Sequence, residues 1–305
     1  MPLRIAILGA TGHIGHSLVN GLLVDKSRIV TAYARRPEAV RPVVDVRHIE
    51  EFGEHPFDVV INCIGVGDPA RVRDLGTDIF QITETFDNRI LDYLDQHTEA
   101  LYINMSSGAV FGMAFETPVT AETLFPSAID EDDPNEWYGM AKRRAEAVHR
   151  ARPELNIVDI RVFSYFSRVI DLSGRLFIVD LVNAVRDKTV LRTQPDDSIR
   201  DYATPLDLVQ LIDHIISCWR SAPVNAALDL YSKAPVGKFA LLDAISKTFD
   251  LRWEIVEDAG VISSTGAKHV YYSENDVAGE WGYMPRFESV DGVIHELSGL
   301  MKAPR

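Results

Sequence analysis

The sequence contains few cysteines and no long uninterrupted apolar stretch. Cys63 and Cys218 are its two cysteines among 305 residues. Neither belongs to a Cys/His cluster, so the composition indicates neither a disulfide framework nor a metal site. No apolar run approaches the roughly 20 residues that span a bilayer, and the N-terminus shows no signal-peptide cleavage pattern. These absences favour a cytoplasmic protein with no membrane partner.

Basic residues are also scarce relative to acidic ones. The chain carries 31 Lys and Arg against 45 Asp and Glu, a formal net charge of −14. A protein with this balance repels nucleic acid and anionic membrane surfaces, so nucleic acid is not an expected partner. The balance remains compatible with a local basic pocket for a small anionic molecule.

The first half of the chain alternates short apolar runs with amphipathic segments, a pattern typical of βαβ units. The predicted fold class is therefore α/β, with a Rossmann-type doubly wound parallel sheet. The predicted strands are Arg4–Leu8, Ile29–Ala34, Val43–Val46, Val59–Cys63, Leu101–Met105 and Ile157–Arg161. The predicted helices are Gly12–Val24, Ile79–Gln96 and Pro134–Ala151.

After Phe163 the pattern becomes mixed, which predicts a smaller α/β C-terminal lobe. We expect a dinucleotide-binding domain over residues 1–164, with 200–230 returning to it, and a substrate-binding lobe over 165–199 and 231–305. The predicted helices here are Leu176–Asp187, Pro205–Trp219, Lys238–Phe249 and Val290–Leu300, and the strands are Leu228–Tyr231, Trp253–Val256 and Val270–Tyr272. Ligands of open α/β sheets bind at the carboxyl edge, where such a lobe supplies substrate contacts.

A glycine-rich turn with the spacing G-x-x-G-x-x-G follows the first predicted strand and opens the first helix. Glycines permit a tight turn and let backbone N–H groups approach a pyrophosphate at the helix N-terminus. The turn residues expected to bind a dinucleotide are Gly9, Thr11, Gly12, His13, Ile14 and Gly15. The alternative is a strand–helix turn that binds no ligand.

The second predicted strand is followed by Arg35 and Arg36 and not by an acid. A carboxylate at this place would bind the ribose 2′-hydroxyl of NAD, whereas guanidinium groups suit a 2′-phosphate. We therefore expect NADP, with NAD possible and a solvated arginine turn as the alternative. Asp45 and Val46, taken as the end of the third strand, are expected to flank the adenine. Other expected cofactor contacts are Cys63, Ile64, Gly65 and Phe163.

Tyr138 and Lys142 are spaced i, i+4 on a predicted helix and so share one face. A neighbouring ammonium favours the phenolate and makes the phenol, whose pKa is ordinarily about 10, a usable proton donor or acceptor. Both residues are also expected to contact the cofactor. Ser106 and Ser107 end the fifth predicted strand, and from the residues alone either hydroxyl can hold a substrate oxygen for Tyr138.

These motifs resemble the extended short-chain dehydrogenase/reductase family, of the nucleotide-sugar epimerase, dehydratase and ketoreductase type. Tyr138 and Lys142 match Y-x-x-x-K, and the segment 107–112 resembles S/T-x-x-V-Y-G. The resemblance implies that Ser107, Tyr138 and Lys142 are the catalytic residues.

Two further segments of the family pattern concern the substrate. Residues 161–164 are similar to R-x-F-N, with Ser164 in place of the Asn that touches substrate. Residues 200–207 are similar to R-D-F-x-x-V-x-D, whose arginine, here Arg200, binds a sugar nucleotide's diphosphate in several members. The resemblance therefore implies a nucleotide-sugar substrate that contacts Ser107, Ser164 and Arg200.

Departures from the family pattern narrow the expected reaction. Gly108 and Ala109 occupy the positions of the acid pair that dehydratases use to eliminate water, which disfavours dehydration. Thr83 stands where the family has a structural Asn, and 164–168 replace N-V-Y-G-P, which implies a changed sugar or nucleotide.

The expected function is NADPH-dependent reduction of a keto group, at C4, on a nucleoside-diphosphate sugar. The alternative enzyme is an NAD(P)-dependent nucleotide-sugar epimerase, and the alternative of another class is an NADP-binding regulatory protein without catalysis. A homodimer formed through the helices at Ile79–Gln96 and Pro134–Ala151 is implied by the resemblance.

Overall fold

The computed structural model describes residues 2–39, 44–66, 68–112, 116–126, 133–257 and 269–302. Its centre is a sheet of seven parallel strands in the order β11-β6-β5-β4-β1-β2-β3. Its strands are β1 (Leu3–Leu8), β2 (Arg28–Ala34), β3 (Asp45–His48), β4 (Val59–Asn62), β5 (Leu101–Ser107), β6 (Asn156–Val162) and β11 (Asn225–Leu230). The strand order reverses beside β1, as in a Rossmann-type doubly wound sheet.

Helices cover both faces of this sheet. On one face are α1 (His13–Leu22) and α6 (Pro205–Ser221), and on the other are α3 (Asp78–Gln96) and α4 (Trp137–Arg150). Alternate residues of β1 enter separate cores, with Ile5 in the cluster that includes α1 and α6 and Ala6 in the cluster that includes α3. Because both faces are buried, β1 reads as a nearly continuous apolar run. The predicted fold class is confirmed.

A smaller mixed lobe has its own hydrophobic core around α5 (Phe177–Asp187), α7 (Lys238–Phe249) and α9 (Ser289–Lys302). Its short strands pair as β8 with β13, β7 with β10, and β12-β9-β14. Their bounds are β7 (Ser164–Tyr165), β8 (Val190–Thr193), β9 (Ile199–Arg200), β10 (Tyr202–Ala203), β12 (Val236–Gly237), β13 (Arg252–Ile255) and β14 (Val270–Tyr271). The remaining helices are α2 (Pro69–Leu75) and α8 (Val277–Glu280). The domain limits given above stay a prediction.

The third strand differs from the sequence expectation. We predicted Val43–Val46; Val43 lies outside the described residues, and β3 runs over Asp45–His48. β3 extends to His48 because it pairs in parallel with β2, in which Ala34 lies opposite His48. The prediction that the strand ends at Val46 is therefore wrong.

Two kinds of feature are absent from the described ranges. No helix there combines the length and apolar character needed to cross a membrane. The same residues contain no group of three or more His, Cys, Asp or Glu side chains placed to hold a metal ion.

Candidate active site

The glycine turn lies between the carboxyl ends of β2 and β4. Gly9 has φ +78°, and a Cβ built on it would lie 2.9 Å from the carbonyl carbon of Cys63. A Cβ on Gly15 would lie 2.4 Å from the carbonyl oxygen of Gly9. The amides of Gly9 and Ala10 both donate to the carbonyl of Tyr33. Side chains at Gly9 and Gly15 are thus excluded by backbone atoms, which keeps the turn close to the sheet.

The N-terminus of α1 offers donors to an anion. Gly12 is the N-cap and supplies no side-chain cap, so the first N–H groups of the ten-residue helix, at His13, Ile14 and Gly15, have no side-chain acceptor at the cap. Thr11 and Gly12 are exposed beside them. This uncapped turn fits the diphosphate of a dinucleotide.

The His13 side chain faces the smaller lobe. Burial lowers the pKa of His13 to about 4, although a hydrogen bond to the backbone of Ser167 acts to raise it. The imidazole ring contacts the Tyr165 ring edge-on, with 5.2 Å between the ring centroids. Tyr165 in turn is hydrogen-bonded to Ser17 of α1, with 2.5 Å between the two hydroxyl oxygens. The imidazole is therefore neutral and packs between α1 and the segment that follows β7.

The two arginines after β2 have the placement that was expected for them. Arg35 and Arg36 are exposed and directly follow Ala34, the last residue of β2. Within the part of the chain that the structure describes, their guanidinium groups form no ion pair or hydrogen bond with other residues. They are thus available to an exposed anionic group.

The predicted adenine contacts are displaced from the sheet edge. Asp45 begins β3 at the level of Thr31, and its carboxylate is paired with Arg47 at 2.8 Å. The residues at the carboxyl end of β3 are instead His48 and Ile49, which lie beyond the predicted strand end at Val46.

The two serines that end β5 point to different partners. The Ser106 hydroxyl donates to Oε1 of Glu146 at 2.6 Å, and Glu146 is also bound by both ends of the Arg161 guanidinium. The Ser107 hydroxyl lies beside the phenol of Tyr138 and acts to lower the pKa of that phenol. The alternation of side chains along the strand thus brings Ser107, and not Ser106, to Tyr138.

Close backbone packing brings Tyr138 to this position. A Cβ on Gly139 would lie 2.2 Å from the carbonyl oxygen of Ala109, so glycine is needed where α4 meets the turn after β5. A Cβ on Gly108 would lie 2.3 Å from the ring of Phe163. Phe163 therefore supports the turn, and an acidic side chain at position 108 has no room.

Lys142 is buried one helical turn beyond Tyr138. Its ammonium donates to the carbonyl of Met105 at 2.8 Å, and a Cβ on Gly65 would lie 3.6 Å from it. Burial lowers the pKa of Lys142, while the carboxylates of Asp87 and Asp159 act in the opposite direction.

The Cys63 thiol and the Tyr138 phenol are neutral at physiological pH. Burial raises the pKa of Cys63 to about 12, with Lys142 opposing it. Burial also raises the pKa of Tyr138, and the hydrogen bond from Ser107 acts against that rise. Tyr138 is thus a protonated phenol, ready to donate a proton.

A buried polar network, which we call the histidine network, lies behind Lys142. Both nitrogens of His149 are bound to carboxylates, Nδ1 to Asp159 and Nε2 to Asp87, each at 2.9 Å. Tyr102 donates to Asp87 at 2.7 Å, and Asn62 donates to Tyr102 at 3.0 Å. The amide of Ile64 donates to the side chain of Asn62, the last residue of β4. The network therefore extends to the segment after β4 that contains Cys63 and Gly65.

Two of the residues predicted to contact the substrate, Ser164 and Arg200, lie on short strands of the smaller lobe. Ser164 is half-buried in β7, and Arg200 is 7% exposed in β9, where its guanidinium donates to the carbonyl of Ile199. Tyr271 of β14 lies between Arg200 and Ser107, a placement that sequence reasoning missed. It is far from both in sequence and belongs to none of the recognised motifs.

The sequence matches the NAD dependent epimerase/dehydratase family over residues 5–227. The chain belongs to this family. It is accordingly an NAD(P)-dependent enzyme with a nucleotide-binding Rossmann fold. No curated protein matches the sequence.

Solved structures of similar fold include several epimerases. A UDP-glucose 4-epimerase from Brucella ovis in complex with NAD has a TM-score of 0.79 and 18% identity, covering 99% of this chain and 100% of the other. A UDP-glucose-4-epimerase from Stenotrophomonas maltophila, with NAD and formylated UDP-arabinopyranose, has a TM-score of 0.80 and 15% identity, covering 98% of each chain. A UDP-glucuronic acid 4-epimerase from Bacillus cereus has a TM-score of 0.75 and 16% identity, covering 98% and 99%. At these identities the likeness establishes the fold.

Proposed function

We propose that this member of the epimerase/dehydratase family reduces a keto group, at C4, on a nucleoside-diphosphate sugar, with NADPH as reductant. The observation that carries the proposal is the contact between Ser107 and Tyr138, with Lys142 one turn beyond, at the carboxyl end of the sheet. Gly108 and its tight contact with Phe163 disfavour dehydration, because no acid can be accommodated there.

Each residue of this cluster has a distinct task in carbonyl reduction. A nicotinamide held at this edge of the sheet would supply the hydride for the carbonyl carbon. Tyr138, a neutral phenol, donates its proton to the carbonyl oxygen, and Ser107 holds that oxygen by a hydrogen bond. Lys142 stabilises the phenolate that remains, since an ammonium nearby favours the charged form.

The remaining proposed contacts hold the cofactor and substrate. The glycine turn binds the diphosphate of the cofactor, and the carboxyl ends of β3 and β4 bind its adenosine and nicotinamide halves. Arg200 and Ser164 bind the sugar nucleotide, as similar proteins are named for UDP sugars. The proposed cofactor contacts are Gly9, Thr11, Gly12, His13, Ile14, Gly15, Cys63, Ile64, Gly65, Tyr138 and Lys142.

The preference for NADP over NAD rests on Arg35 and Arg36. They are exposed at the end of β2, no carboxylate occupies that place, and a 2′-phosphate accepts hydrogen bonds from guanidinium groups. NAD remains the alternative because the similar epimerase structures contain NAD.

An epimerase is the second candidate, supported by the family match and by the named activities of similar structures. In that reaction the Ser107–Tyr138 pair would take up the proton of a sugar hydroxyl and later return it, while a bound NAD⁺ would accept the hydride from the same carbon and give it back. The purified protein, incubated with UDP-glucose without added cofactor, separates the two: UDP-galactose formation favours epimerisation, and a requirement for added NADPH with a keto sugar favours reduction.

Substitution of Tyr138 by Phe tests the assignment of the proton donor. We expect kcat to fall roughly 10²- to 10⁴-fold, because general acid catalysis is lost. Cofactor affinity, measured by fluorescence titration, should change little. Near-normal turnover by the variant would contradict the assignment. Tight NADP binding by the wild type without turnover on any keto sugar would favour a regulatory protein.

We also propose a homodimer, as the family resemblance implies, formed through the outward faces of α3 and α4. These helices pack side by side, and Arg144 is paired with Glu84 between them at 2.8 Å. Light scattering after size-exclusion chromatography tests this, and a monomer at micromolar concentration would contradict it. A cytoplasmic location stays a prediction.

A further inference from the structure

The backbone segment of residues 63–65, which follows β4, lies between the glycine turn and Lys142. A Cβ built on Gly9 would lie 2.9 Å from the carbonyl carbon of Cys63 and 3.0 Å from the amide nitrogen of Ile64. A Cβ built on Gly65 would lie 3.6 Å from the ammonium nitrogen of Lys142. Gly65 is exposed, so the segment can be reached from the carboxyl edge of the sheet.

The side chain of Asn62, the last residue of β4, fixes the start of this segment. Its Oδ1 accepts a hydrogen bond from the amide of Ile64, two residues further on, at 3.0 Å. A bond of this kind closes an Asx turn, which sets the direction in which the backbone leaves the strand. Because Asn62 is buried, the orientation of its amide depends on its protein partners.

Tyr102 of β5 is the partner that holds this orientation. Nδ2 of Asn62 donates to the Tyr102 hydroxyl at 3.0 Å. The hydroxyl gives its single proton to Asp87 at 2.7 Å, so toward Asn62 its oxygen acts as an acceptor. The reversed amide would direct its NH₂ group at the N–H of Ile64, donor against donor. Tyr102 therefore selects the orientation in which Asn62 can hold Ile64.

The histidine network keeps Asp87 in its role as acceptor. Burial acts to lower the pKa of His149, but Asp159 and Asp87 outweigh it and raise the pKa to about 9. At neutral pH both imidazole nitrogens are therefore protonated, and each donates to one carboxylate. Burial raises the pKa of Tyr102 well above its ordinary value, so the phenol keeps the proton that it donates. The donors from Ile64 to Tyr102 thus form one directed chain that ends on Asp87.

We propose that Tyr102 and Asn62 are positioning residues, which hold the 63–65 segment in the conformation that binds the nicotinamide half of the cofactor. The proposal rests on the proposed function, in which the carboxyl end of β4 contacts that half. Tyr102 and Asn62 are 0% and 4% exposed, so they act on the cofactor through the backbone amide of Ile64.

The test compares the whole cofactor with one half of it. The wild type is titrated by calorimetry with NADP⁺ and NAD⁺, and the tighter of the two is then compared with its adenine-nucleotide half, 2′,5′-ADP or AMP. The variants are Tyr102→Phe, Asn62→Ala and the double variant. Tyr93→Phe is the matched control, because it removes another buried hydroxyl, to which the amide of Phe57 donates at 2.6 Å before the other end of β4.

We expect each single variant to bind the whole cofactor about 10-fold more weakly, because a buried polar group loses its partner. Each should bind the adenine-nucleotide half as the wild type does. Since Tyr102 acts through Asn62, the double variant should lose about 10-fold, as Asn62→Ala does, and not the roughly 100-fold of two independent sites. Tyr93→Phe should be less stable in urea yet bind both ligands like the wild type.

Three results would overturn the proposal. The first is wild-type affinity for the whole cofactor in a folded Tyr102→Phe protein. The second is an equal loss of affinity for the cofactor and for its adenine-nucleotide half, and the third is an additive loss in the double variant. Either single variant decides by the comparison of the two ligands if the other does not fold.

A wild type that binds neither NADP⁺ nor NAD⁺ contradicts the proposed function, and the positioning proposal with it. Because that result is read from the wild type alone, it is distinguishable from a failure of the positioning proposal, which is read from the variants.

Discussion

The ammonium nitrogen of Lys142 lies 2.8 Å from the main-chain carbonyl oxygen of Met105 and donates a hydrogen bond to it. Met105 precedes Ser107 by two residues on β5, so Lys142 is tied to the strand that presents the serine. The position of Lys142 on α4 thereby fixes Tyr138 as well. The contact joins the parts of the site into one unit.

Replacement of Lys142 by Met should lower kcat roughly 10²- to 10⁴-fold, because the phenolate of Tyr138 loses its stabilising charge. The carbonyl of Met105 would lose its buried donor, which costs about 1–3 kcal/mol of unfolding free energy. Steady-state kinetics and urea denaturation measure the two effects. Lys247→Met is the control, an exposed lysine on α7 that should change stability by about 0.5 kcal/mol or less. Near-normal kcat in Lys142→Met would rule out this role.

Substitution of Gly139 by Ala should separate Tyr138 from Ser107. The new Cβ would lie 2.2 Å from the carbonyl oxygen of Ala109, a backbone atom, so α4 must shift. A displacement near 1 Å can cost about 10²-fold in rate, and we expect that loss in kcat with the fold retained. Gly279→Ala is a control on α8, where the atom nearest to the new Cβ is the Tyr231 hydroxyl at 3.4 Å, an ordinary contact distance. Equal kcat in the two variants would show that the close packing at Gly139 is dispensable.

The histidine network predicts a dependence of stability on pH. Burial lowers the pKa of His149, but Asp159 and Asp87 outweigh it and raise the pKa to about 9. Because the pKa of a histidine in the unfolded chain is about 6.5, the folded protein binds the proton of His149 more tightly than the unfolded chain does. The contribution of the protonated His149 to the free energy of unfolding is fully present below about pH 6.5 and is lost as the pH rises through about 9. This change is on the order of 3 kcal/mol.

Urea denaturation of the wild type and of His149→Gln between pH 6 and pH 10 tests this prediction. The variant should be less stable at pH 6, because two buried carboxylates lose their cation, and should lack the decline that the wild type shows on the alkaline side. His55→Gln, at an exposed position, should behave as the wild type. A decline of the same size in His149→Gln would mean that other groups cause it.

The double substitution of Arg35 and Arg36 by Ala should change cofactor preference. Affinity for NADP⁺ should fall 10- to 100-fold, since hydrogen bonds between charged groups contribute about 1.5–3 kcal/mol. Affinity for NAD⁺ should stay nearly constant, and titration calorimetry measures both. Replacement of the exposed Arg73 by Ala serves as the control. An equal loss of affinity for NADP⁺ and NAD⁺ would indicate that the two arginines do not bind the 2′-phosphate.

Much of the central sheet was predictable from sequence because its strands are buried on both faces. The runs at Ile5 and Val60 are apolar and flanked by turn residues, and their strands were placed to within one or two residues. The strand at Asp45–His48 contains polar residues at most positions, so its end is decided by pairing with β2 and not by its own pattern. Strands of two residues such as β7 and β14 have no periodicity to read.

The residues of the candidate site also differ in whether a local sequence pattern predicts them. Tyr138 and Lys142 are spaced along one helix, so a local pattern predicts their shared face. Tyr271 reaches Ser107 from 164 residues away through strand pairing in the smaller lobe. The histidine network likewise joins Asp87, His149 and Asp159 from three elements, and no local spacing indicates that they meet. Contacts that arise only from the tertiary structure produce no recognisable pattern in a short stretch of sequence.

The sheet is completed by β11, which pairs with β6 although the chain first builds part of the smaller lobe. During synthesis β6 therefore remains an unpaired edge until residues 225–230 have left the ribosome. Such an edge is a template for pairing with other chains, and contacts between distant segments slow folding. Fragments that stop before residue 225 should consequently aggregate, which makes the nucleotide-binding half a poor candidate for separate expression.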